Sequence, residues 1–87
     1  MEIYKGEIGL DKTFQELFKK TTKCYNCKKE AKIMFVAQEW NDKKGTYICD
    51  LYETTGKEGS LWLHDACAVA VYLCPHCFEA TAIVNQA

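Results

Sequence analysis

The chain has 87 residues, 48% of them apolar, and a formal net charge of −1. That length makes one domain whose core buries only roughly 60% of its unfolded surface, so a metal or cross-links are expected to help. The composition argues against a disordered chain. The longest apolar run, 66–75, is far short of the roughly 20 residues of a membrane helix, and eleven lysines without one arginine disfavour a reader of guanine edges.

In chain order, residues 10–20 read as one short N-terminal helix. Asp11 or Thr13 caps it, and Thr13 with Glu16 has capping-box spacing. Phe14, Leu17 and Phe18 share one face, and Lys19 and Lys20 suit the negative end of the helix dipole. From residue 31 the period changes to two. Ile33, Phe35 and Ala37 alternate with Lys32, Met34, Val36 and Gln38, and this strand ends near Trp40. Residues 41–45, Asn-Asp-Lys-Lys-Gly, are a turn signal, and 46–53 resume as a strand, giving an inserted β-hairpin. A polar loop over 54–59 leads to one long strand or two over 60–73. Residues 78–84 form the last strand. The expectation is a single small domain over 1–87, mainly β and metal-stabilised.

Six cysteines carry the chemistry: Cys24, Cys27, Cys49, Cys67, Cys74 and Cys77. No basic-then-apolar leader with a cleavage site opens the sequence. The expected compartment is the reducing cytoplasm, where disulfides do not persist. Cysteine pairs spaced by two residues then read as metal ligands or redox dithiols. Cys24-Tyr-Asn-Cys27 and Cys74-Pro-His-Cys77 form such a set. The short spacer lets two thiolates face one ion, and Lys28 and Lys29 ease the cost of holding them ionised. A weak internal repeat accompanies the pairs, since each precedes a strand-like segment.

The two pairs resemble the knuckles of the zinc ribbon and rubredoxin-like group of metal folds. Cys74-Pro75-His76-Cys77 is similar to that group's second knuckle. The resemblance implies a zinc-ribbon-like antiparallel sheet and a closed shell of four cysteines holding Zn²⁺, with Fe as the alternative ion. Two features depart from the pattern. Lys28 and Phe78 stand where glycine is common, and 46 residues separate Cys27 from Cys74.

Cys49, His64, Cys67 and His76 remain as candidates for a second site or as substitute ligands. His64-x₂-Cys67 has ligand-like spacing. The plainer reading makes the thiols small buried hydrophobes and His64 a surface residue. Catalysis is not expected. A closed four-cysteine shell leaves no open coordination position. The residue two after His64 is Ala66, where a zinc deaminase needs Glu. No glycine-rich phosphate loop exists, and no small-molecule substrate is expected.

Three functional classes follow. The first is a protein-binding adaptor or regulator, anchored by the aromatics Trp40, Tyr47, Tyr52 and Trp62. The second is a nucleic-acid binder using residues 12–32, which hold seven lysines against two glutamates. Lys19, Lys20, Lys23, Lys28 and Lys29 would meet phosphates there, and Tyr25 would stack on a base. The third is iron-based electron transfer.

Overall fold

The computed structural model describes residues 1–39 and 66–86. These contain five strands: β1 (Glu2–Lys5), β2 (Thr21–Lys23), β3 (Glu30–Gln38), β4 (Cys67–Leu73) and β5 (Ala80–Gln86). They form one antiparallel sheet in the order β1-β3-β4-β5, and β2 also pairs with β3. β1 lies against residues 35–38 of β3 and β2 against residues 30–32, so the two short strands pair with successive parts of β3. The expected mainly-β architecture is present. The expected hairpin of 31–53 has only its first strand, β3, among the described residues, and the segment from 60 only its end, β4. Among the described residues no helix is long and apolar enough to cross a membrane.

The expected helix over 10–20 is not formed. The helical element of the described chain is instead a 3-10 turn at Gly6–Gly9. Partners from β5 explain the difference. Thr13 Oγ1 accepts from the Gln15 amide at 3.2 Å and from Asn85 Nδ2 at 2.6 Å, and donates to the Glu16 carbonyl at 3.1 Å. The Phe14 amide donates to Asn85 Oδ1, and Gln15 Nε2 to the Gln86 carbonyl. The Phe18 amide reaches back eight residues to the carbonyl of Leu10. An isolated helix of eleven residues is marginal in water, so these bonds pull the segment into a loop laid on the sheet. Phe18 is still buried, Phe14 still packs on the core, and Leu17 is left 69% exposed.

One face of the sheet carries the core. Cys24, Ala31, Val36, Ala68, Ala70, Tyr72 and Cys74 are buried there with Phe18. The small side chains of Ala68 and Ala70 leave room for the loop, and the Tyr72 hydroxyl donates to the Lys19 carbonyl at 2.7 Å, fixing the loop's end. The face read for β3 needs one correction. Ile33 pairs with Tyr72 and Phe35 with Val71, so Met34 is an extra residue, a β-bulge. The bulge reverses the alternation. Val36 is fully buried, whereas Phe35 moves to the opposite face. Val36 also explains a glycine: a Cβ on Gly9 would lie 2.6 Å from Val36 Cβ.

Candidate metal centre

Each cysteine pair sits in a tight turn with the same backbone bonds. In the first, the Lys28 amide donates to the Cys24 carbonyl at 3.1 Å and the Cys24 amide to the Lys29 carbonyl at 2.8 Å. In the second, the Phe78 amide donates to Cys74 at 2.9 Å and the Cys74 amide to Glu79 at 3.0 Å. Lys28 has φ 66° and Phe78 φ 61°. These are the positions where the resembled folds favour glycine, and here two non-glycine residues adopt the left-handed conformation glycine would supply.

The sheet brings the turns together. The first leads from β2 into β3, the second joins β4 to β5, and β3 pairs with β4. Cys24 and Cys74 are fully buried, and Cys27 and Cys77 are partly so. The Sγ atoms of Cys24 and Cys77 lie 3.6 Å apart, and those of Cys27 and Cys74 3.5 Å. All four lie within 4.8 Å of one another. A tetrahedral ion with bonds of about 2.3 Å needs sulfurs about 3.8 Å apart. The four sulfurs thus fit one ion. Two bonds tie the turns together beside them: the Tyr25 amide to Thr81 Oγ1 at 3.1 Å, and the Tyr25 hydroxyl to Glu79 Oε2 at 3.2 Å.

The backbone also prepares the sulfurs for a cation. The Cys24 thiol is pulled down to about 6, first by the Cys27 amide, with help from the Asn26 amide, whose nitrogen lies 3.4 Å from the sulfur. Cys74 is lowered too. Burial opposes ionisation there, but the amides of Cys77 and His76 and the neighbouring thiols outweigh it. Cys27 goes the other way. The Lys29 amide favours its thiolate, yet burial and the three neighbouring thiols push it up to about 11. In the first pair Cys24 is thus readier to ionise than Cys27. A cation would displace the protons that remain.

The other expected residues fall into three groups. Trp40, Tyr47, Cys49, Tyr52, Trp62 and His64 lie outside the described residues. Cys67 is buried at the far end of β4, where its amide donates to Glu39 Oε2 at 3.2 Å, and His76 is exposed in the second turn. Neither belongs to the four-sulfur cluster. The lysines separate. Lys19, Lys23, Lys28 and Lys29 line one cleft of about 460 Å³, whereas Lys20 pairs with Glu7 at 3.0 Å. Lys28 donates to the Tyr25 carbonyl at 2.8 Å. Tyr25 is 56% exposed.

Thr81, Glu79 and Tyr72 were not singled out by the sequence. Only Glu79, directly behind the second pair, stood near a recognisable signal. The chain matches no protein-family model, no curated protein and no solved structure among those compared.

Proposed function

We propose that this chain is a small, non-catalytic zinc-binding module that acts by offering a surface to a protein partner. The observation that carries the reading is the set of four sulfurs within 4.8 Å, supplied by two turns 46 residues apart in sequence. A Cys₄ shell is closed, which suits a structural ion rather than one that must bind substrate. Among the described residues the core cluster is small and includes three alanines, so an ion that joins residue 24 to residue 77 would supply much of the folding free energy. Zn²⁺ is the ion of choice. Fe²⁺ or Fe³⁺ in the same shell would instead make the chain a rubredoxin-like electron carrier. An exposed first turn, with Tyr25 and a lysine-lined cleft beside it, supports a binding role.

Strong chelation followed by circular dichroism tests the structural half. The sheet signal should collapse when zinc is removed and return when it is restored. A chain that keeps its cooperative thermal transition without metal would sink the reading. An absorption spectrum of the native protein separates the ions, since zinc is colourless in this shell and iron is not. The partner half is tested by replacing Trp40 and Trp62 with Ala: partner binding should fall while the zinc content holds.

A further inference from the structure

β2 covers part of one edge of β3, and among the described residues its own outer edge is unpaired. The Ile33 amide donates to the Lys20 carbonyl at 2.9 Å, and the Cys24 amide to Lys29 at 2.8 Å. The register between them is Thr21↔Lys32, Thr22↔Ala31 and Lys23↔Glu30. Antiparallel alternation then turns the N–H and C=O of Thr22 toward β3 and those of Thr21 and Lys23 away from it. Among the described residues no strand or side chain pairs with these outward groups. Thr21 and Lys23 also line the cleft of about 460 Å³ described above, whose charged residues among those described are Lys19, Lys23, Lys28, Lys29 and a single acid, Glu30. No ion pair engages Lys19, Lys23 or Lys29 among the described residues.

We propose that the open edge of β2 and its lysine-lined cleft receive an acidic, extended segment of a partner protein as an added strand. This rests on the partner-binding reading above and names the partner's chemistry. Outward groups on residues two apart are what an incoming strand pairs with. The lysines decide which strand. They repel a second copy of the same edge, guarding against self-pairing, and they favour alternating acidic side chains. A nucleic-acid strand would find point charges here, but among the described residues the cleft lining contains no aromatic platform on which bases could stack.

Amide NMR of the zinc-loaded chain tests this with four probes: the peptide Glu-Thr-Glu-Val-Glu-Thr-Glu, its lysine counterpart, the acidic peptide N-methylated at alternate residues, and a short oligothymidylate. The acidic peptide should shift the amides of Thr21 and Lys23 first. The N-methylated and lysine peptides should bind at least roughly tenfold more weakly. Reversing Lys19, Lys23 and Lys29 to Glu should weaken the acidic peptide roughly tenfold or more, and the milder Glu30→Gln should strengthen it. Equal binding of the N-methylated peptide would overturn the added strand, leaving only diffuse attraction. Tighter binding of oligothymidylate would replace it with the nucleic-acid reading. An unchanged spectrum from a sample of full zinc content would overturn this inference alone, whereas a dispersed spectrum that survives chelation would overturn the metal reading instead.

Discussion

In the first cysteine turn the Lys28 amide closes on Cys24 at 3.1 Å, and in the second the Phe78 amide closes on Cys74 at 2.9 Å. Their surroundings differ. The first turn is flanked by Lys23, Lys28 and Lys29, and it opens onto a basic cleft. The second carries Pro75, His76, an aromatic at Phe78 that is 76% exposed, and Glu79. The ligand geometry therefore resides in the backbone bonds that both turns share, and the side chains around them are available for other work. A four-thiolate shell around a divalent ion is doubly negative, and the lysines of the first turn offset that charge. The second turn contributes ligands and a partly acidic rim.

The largest break in this comparison comes from the ligands. Cys24→Ser and Cys74→Ser should each abolish metal binding and unfold the chain, because both turns would hold the same ion. Cys67→Ala should only loosen packing, at a cost of about 1–3 kcal/mol by denaturant titration. Unequal outcomes for Cys24 and Cys74 would show that the turns do not share an ion.

Acid comes next. The Cys24 pKa is depressed from 9.0 to about 6 in the folded chain. Its contribution to stability is therefore complete above pH 9.0 and is lost as pH falls through about 6. Cys74 has the same sign. Cys27 has the opposite one, so in the metal-free chain its contribution is lost as pH rises through about 11. A bound ion requires all four thiols ionised. Metal release followed against pH should therefore occur on the acid side, as protons compete with the ion for the thiolates.

A smaller effect tests how the turns lean on each other. Thr81→Val removes the acceptor of the Tyr25 amide. The melting temperature should fall by a few degrees with metal stoichiometry unchanged. The smallest effect sharpens the symmetry. Left-handed backbone costs a non-glycine residue roughly 1–2 kcal/mol, and glycine's extra freedom when unfolded takes back roughly 0.5–1 kcal/mol. Phe78→Gly should thus stabilise the chain by about half a kcal/mol in chemical unfolding. Lys28→Gly should gain less, since the Lys28 bond to the Tyr25 carbonyl is lost.

The four-cysteine cluster was legible because metal ligation demands a fixed local spacing, and Cys-x₂-Cys announces it wherever the chain goes. β3, β4 and β5 were legible through runs of apolar and β-branched residues. Other features depend on partners remote in sequence. Asn85 and Gln86 take up the polar groups of residues 13–15, so a segment with capping-box spacing became a loop. β1 and β2 have four and three residues, too few to carry a period. The bulge at Met34 left an unbroken alternation in the sequence while exchanging its faces in the sheet. Lys28 and Phe78 looked like departures from the knuckle pattern, yet their backbone adopts the conformation the turn requires.

Native mass spectrometry of the intact chain tests the shared centre most directly. One metal ion per chain is expected, bound with loss of the thiol protons of Cys24, Cys27, Cys74 and Cys77, and absent from the Cys24→Ser and Cys74→Ser variants alike. A chain that carries no metal, or one that keeps a full equivalent after either substitution, would contradict it.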